Sequence, residues 1–65
     1  MQVLINQVAH ELADGASLAD AVAAVQAQPP FAAAVNLQFV PNTRYAQQPL
    51  QPGDQIDIIA PVTGG

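Results

Sequence analysis

The 65-residue chain contains no cysteine, no lysine and no tryptophan, and its single Arg faces five acids. Without cysteine there is no disulfide, no thiolate metal site and no cysteine nucleophile, so apolar burial must hold the fold. A formal charge of −4 and a pI near 4.1 would repel a phosphate backbone, which excludes nucleic acid as an expected partner. Long apolar runs are missing too. The longest weakly polar stretch, Leu18 to Val25, is Ala-rich and interrupted by Asp20, far short of the roughly 20 residues that a spanning helix needs. No membrane role is expected. Met1 leads into Gln2-Val3-Leu4-Ile5 with no basic segment, so no export signal is read and a cytoplasmic location is expected. Neither of the glycine-rich phosphate-loop patterns, GxxxxGK[ST] and GxGxxG, occurs.

What is present is apolar: 51% of the residues are hydrophobic, punctuated by six Pro and four Gly. This describes one domain, residues 1–65, at the low end of what folds alone. A chain of this size buries only about 60% of its unfolded surface, which leaves one core and little room for a substrate cavity. A self-contained enzyme is not expected.

Alternation over Met1 to Ile5 predicts a strand with Met1, Val3 and Ile5 on one face and Gln2 and Leu4 on the other. Asn6-Gln7 supplies a turn, and Val8 to Leu12 returns as a second strand. After the break at Gly15, Ser17 reads as a helix N-cap with Asp20 three residues on, in a capping-box pattern. Leu18, Val22 and Val25, with Ala21, form the apolar stripe of a short helix, which cannot pass Pro29-Pro30. Two further strands follow, Ala32 to Asn36 and Gln38 to Val40, joined by a bend at Asn36-Leu37 and ended by Pro41. Asn42 is a candidate cap for one helical turn that brings Tyr45 under the core. Gln51-Pro52-Gly53-Asp54 is a strong turn signal. In the last strand, from Gln55 to Ala60, the expected inward set is Ile56, Ile58 and Ala60, with Asp57 and Ile59 outside. The result is an α+β roll in which the first and last strands lie side by side at the centre of the sheet.

Candidate chemistry is sparse. His10 is the single histidine, and its neighbour Glu11 points to the opposite strand face, so the two cannot converge as a catalytic pair. The acids are scattered, and Asp14, Asp20 and Asp54 already have turn or cap explanations, so no metal site is predicted. The sequence ends in Gly64-Gly65, an ending that chance gives to roughly one chain in 200. Two residues without Cβ make a thin tail that can thread a narrow channel and present a carboxylate to another protein's active site.

Ala34-Val35-Asn36, Phe39-Val40-Pro41, Tyr45-Ala46, Leu50, Gly53-Asp54-Gln55-Ile56 and the final Gly64-Gly65 resemble the bacterial sulfur-carrier proteins of thiamine biosynthesis, the ThiS family. The opening Met-Gln-Val-Leu and the Gly15 turn before the helix follow in that family's order, so the resemblance spans nearly the whole chain. It implies a ubiquitin-like β-grasp: a mixed four- to five-stranded sheet with one helix packed across it, and a flexible tail at 61–65. It also implies a role as protein cosubstrate and not as enzyme. A ThiF-like partner would use ATP and Mg²⁺ to adenylate the Gly65 carboxylate, with Gly64 giving clearance. A persulfide sulfur donor would then convert it to a thiocarboxylate, and a ThiG-like thiazole synthase would take the sulfur. This chain itself is expected to bind no cofactor.

For docking, Leu4 and Ile59 are expected on the open sheet face of adjacent strands near the tail root. Asp57 on the same face, with the negative charge, would steer the domain to a basic rim. Two other readings stay open: a carrier like the small subunit of molybdopterin synthase, and a β-grasp interaction module in which the tail carries no chemistry.

Overall fold

The computed structural model describes residues 1–59; Ala60 and the expected tail at 61–65, including Gly64 and Gly65, lie outside the described residues. The elements are β1 (Gln2–Ile5), β2 (Val8–Glu11), α1 (Leu18–Ala24), β3 (Ala32–Val35), β4 (Gln38–Val40), a 3-10 helix (Asn42–Gln47) and β5 (Gln55–Ile59). The sheet order is β2-β1-β5-β3-β4. β5 runs parallel to β1 and antiparallel to β3, and each hairpin partner flanks one of those two. First and last strands are therefore neighbours at the centre, as their apolar content predicts.

One face of this sheet carries Val3, Ile5, Ala33, Val35, Val40 and Ile56, and α1 adds Leu18 and Ala21 to the same cluster. Ile5, Leu18, Ile56 and Val3 are the largest fully buried side chains. Burial of each such side chain contributes about 1.5–3 kcal/mol, which makes this small group the main source of stability. Leu50 completes the core from an irregular segment. Its N–H donates to Ala16 C=O at 3.0 Å, and Leu18 N–H donates to Gln48 C=O at 2.8 Å, so the 48–50 strand of backbone is strapped to the start of α1.

The start of α1 is as the sequence predicts: the Asp20 carboxylate accepts the Ser17 N–H at 2.8 Å and the Ser17 hydroxyl at 3.2 Å. Its end comes earlier than Pro29-Pro30 requires. Gln26 turns left-handed (φ +55°), its N–H donates to Ala23 C=O, and Ala27 N–H donates to Val22 C=O. This is a Schellman termination with glutamine at the position glycine usually holds. The 3-10 helix is capped by Pro41, not by Asn42, which is its first residue and makes no capping bond. Tyr45 does reach the core edge, and its ring stacks on Phe31 with centroids 5.8 Å apart. At the 51–54 turn, Gly53 has φ +85° and Asp54 N–H donates to Gln51 C=O at 3.1 Å, as Pro-Gly predicts.

Both hairpin turns place two residues at positive φ: Asn6 (+51°) and Gln7 (+68°), then Asn36 (+51°) and Leu37 (+69°). These are the twisted two-residue turns that suit β-hairpins, and asparagine tolerates the first position. Each asparagine also extends a ladder onto β5. Asn6 N–H donates to Ile56 C=O, and its Oδ1 accepts Ile58 N–H, both at 2.8 Å. Asn36 N–H donates to Gln55 C=O at 2.7 Å, and its Oδ1 accepts Gln55 N–H at 3.0 Å. In each case the turn swings the main-chain carbonyl away and the side-chain oxygen takes its place in the pairing.

Candidate functional site

Strand register decides which residues share the face left open opposite α1. Pairing Leu4 with Gln55, Asp57 with Ala34, Ile59 with Ala32 and Ala34 with Phe39 puts all of them on that face. Its apolar centre is a strip in which β3 contributes only Ala32 and Ala34, a low floor between Ile59 on β5 and Phe39 on β4. Ile59 is 64% exposed and Phe39 69%. Asp57 stands in the row with Ala34 and Phe39.

The expected docking residues are thus on one face, but not all at one place. Ile59 ends β5 and so stands at the root of the tail, with Asp57 two residues before it. Leu4 is half-buried and opposite Gln55, four residues back along β5, or about 13 Å at the usual strand rise. It shares the open face with Ile59 and does not adjoin the tail root. The exposed aromatic on this face is Phe39, two strands from β5 in the row of Ala34 and Asp57. Alternation contains that information: Val40 faces inward before Pro41, which sends Phe39 outward.

The acids divide cleanly. Glu11 and Asp14 approach the Met1 ammonium at 2.8 and 3.2 Å. Asp20 caps α1, and Asp54 accepts the Gln51 N–H at 2.8 Å and the Asn36 amide at 3.0 Å. Among the described residues, the side chain of Asp57 alone of the five makes no hydrogen bond or ion pair, so its charge on the open face is uncompensated. His10 lies opposite Val3 on the helix side of the sheet, and Glu11 lies opposite Gln2 on the other, so the two are separated as expected. Among the described residues no three His, Asp or Glu side chains converge as a metal site, and no concave pocket opens.

The sequence model of the ThiS family matches residues 3–65. This chain belongs to the ThiS family. It is 36% identical over 66 residues to the sulfur carrier protein ThiS of Escherichia coli (strain K12), with both chains covered completely. The crystal structure of the thiamine biosynthesis protein ThiS from Geobacter metallireducens superposes with a TM-score of 0.81 at 13% identity, again over the whole of both chains. At that identity the likeness speaks for fold, and the fold is the ubiquitin-like β-grasp. The family match runs through Gly64 and Gly65, the residues of the expected chemical site, which lie outside the described residues.

Proposed function

We propose that this ThiS-family chain carries sulfur as a thiocarboxylate on Gly65 and delivers it to the thiazole-forming step of thiamine biosynthesis. The observation that carries this reading is the full-length 36% identity to a protein named as a sulfur carrier. The chemistry follows from what a glycine carboxylate lacks, which is a leaving group. A ThiF-like enzyme with ATP and Mg²⁺ supplies one: a carboxylate oxygen attacks the α-phosphorus, pyrophosphate leaves, and an acyl-adenylate forms. The terminal sulfur of a persulfide then attacks the acyl carbon and AMP leaves. A second thiol cleaves the resulting acyl disulfide, leaving the thiocarboxylate for a ThiG-like synthase. Positioning and charge stabilisation belong to those partners, so the chain acts as cosubstrate and not as enzyme. The setting for this chemistry is the cytoplasm.

The strip of Ile59, Ala32, Ala34 and Phe39, flanked by Asp57, is the proposed docking face, with Leu4 at its far margin. It adjoins the tail root, so a partner that covers it also controls where Gly65 is delivered. Asp57 and the charge of −4 favour a basic rim on that partner, and association is expected to weaken with salt.

The absence of cysteine makes the test clean, because no side-chain thiol competes for an alkylating reagent. Incubation with a matched adenylating enzyme, ATP and a persulfide source should replace one oxygen by sulfur in the intact mass. One alkyl group should then map to Gly65. If neither appears while the Escherichia coli carrier is converted alongside, the carrier reading fails and an interaction module takes its place. Deleting Gly65 should abolish conversion and leave the fold unchanged.

A further inference from the structure

We infer that Glu11 and Asp14 hold the Met1 α-amine as a caged ammonium, so that an activated Gly65 is kept for sulfur and not spent on the chain's own nitrogen. The inference rests on the carrier reading for its purpose, though not for its geometry. With no lysine in the sequence, a chain that starts at Met1 has that one primary amine. Three oxygens lie within hydrogen-bonding distance of its nitrogen: Leu12 C=O at 2.6 Å, Glu11 Oε2 at 2.8 Å and Asp14 Oδ1 at 3.2 Å. β2 supplies Glu11 and the loop after it supplies Asp14; among the described residues no other charged group faces the amine.

An ammonium has no lone pair and cannot be acylated. To attack, it must lose a proton to solvent and turn away from its three acceptors. The Glu11 carboxylate hydrogen bond, with Asp14 adding to it against an opposing effect of burial, raises the pKa above its ordinary value of 8.0. If the free amine did react, its lone pair would form a C–N bond to the Gly65 carbonyl carbon. The C–O bond to the phosphate would break, AMP would leave with that electron pair, and the second proton would pass to water. The product is a dead-end amide that can no longer take up sulfur.

Register tells which copy is at risk. Leu4 pairs with Gln55, so Met1 and Ile59 are displaced along the sheet by about seven residues, or about 23 Å. Residues 60–65 reach about 20–22 Å even when fully extended. Attack within one copy is therefore at the limit of reach, and head-to-tail joining between copies is the reaction the cage suppresses.

The test has two arms. In the first, the folded full-length chain is treated at neutral pH with an acetyl N-hydroxysuccinimide ester and followed by intact mass. The Glu11→Gln/Asp14→Asn double variant should label about three- to tenfold faster than the parent, and Asp20→Asn should label at the parental rate. In the second, the same chains are prepared with a C-terminal thioester as the activated group. The double variant should form concentration-dependent head-to-tail conjugates, each bond formed with loss of the thiol, and the parent should form few. Equal labelling or equal conjugation in parent and double variant overturns the cage. Should the double variant fail to fold, the parent is compared with a free peptide of residues 1–4, and equal rates again overturn it. Neither arm uses the adenylating enzyme, so a failure to load sulfur on Gly65 counts against the carrier reading alone.

Discussion

The two hairpins, β1–β2 and β3–β4, are turned by the same chemistry and used in opposite ways. Each turn begins with an asparagine at φ +51° and continues with a residue at +68° or +69°, and each asparagine bonds to β5 from its own side. Beyond the turn the resemblance stops. The first hairpin sends Val3 and Ile5 into the core and closes its outer strand around the chain's amino end. The second sends in Ala33 and Val35, and turns Phe39 to solvent beside Ala34. Turn geometry fixes how a strand pair is folded back; what its two faces carry decides whether it supports the molecule or presents it.

That division can be broken most severely at Ile5. Ile5→Ala should cost about 2–5 kcal/mol, read from the denaturant midpoint, because it opens a cavity beneath the helix. Phe39→Ser should shift stability by no more than about 0.5 kcal/mol, yet weaken binding to the adenylating partner about tenfold or more. If Phe39→Ser binds like the parent, the second hairpin is not a presenting surface.

The turns offer a finer contrast. Among the described residues Asn6 bonds through its side-chain oxygen alone, whereas Asn36 also donates through Nδ2 to Asp54 at 3.0 Å. Asn6→Asp keeps the acceptor and should be close to neutral. Asn36→Asp replaces a donor with a second carboxylate facing Asp54 and should cost about 1 kcal/mol or more, by loss of the bond and repulsion. Paired urea titrations at neutral pH decide this, and equal costs would mean that the Asn36–Asp54 contact contributes nothing.

The smallest effect belongs to the first hairpin's amino end. A group whose folded pKa is raised contributes its full stability below the unfolded pKa and loses it as pH climbs through the folded value. The Met1 amine should therefore add a constant increment below pH 8.0 and a declining one above it. The fall should be shallow, since Glu11 and Asp14 are both exposed, and shallower still in the Glu11→Gln/Asp14→Asn variant. Unfolding midpoints measured on either side of pH 8.0 in both chains provide the check.

Local signals carried far in this molecule, and pairings between distant segments did not. Asn6-Gln7, Asn36-Leu37 and Pro52-Gly53 could be read as turns because each requirement is met within two residues. Ser17 and Asp20 marked the helix start for the same reason. The helix end was hidden because Gln26 occupies a left-handed position that sequence patterns assign to glycine, at a cost of about 1–2 kcal/mol. Leu50 was not legible as core because it sits in an irregular segment with no period to reveal its face. The misplacement of Leu4 has a different origin. β1 and β5 pair in parallel across some fifty residues, so no turn sets their register, and Leu4 could be assigned to the open face but not to a position along it. Of the candidate site, the tail glycines were named from their place at the end of the sequence and from the family resemblance and lie outside the described residues, while the strip beside Phe39 needed the register of β3 with both of its neighbours.

The central position of β5 has a mechanical consequence. Its last described residue leads directly to the segment that a partner would handle, and it lies between one strand running with it and one running against it. A pull on that end is directed along the strand, so the rungs to β1 and β3 are loaded in shear and share the force, instead of being peeled off one after another. The side-chain rungs from Asn6 and Asn36 take part of the same load. A load applied at the end of β5 is thus borne by the whole sheet and not by one rung at a time.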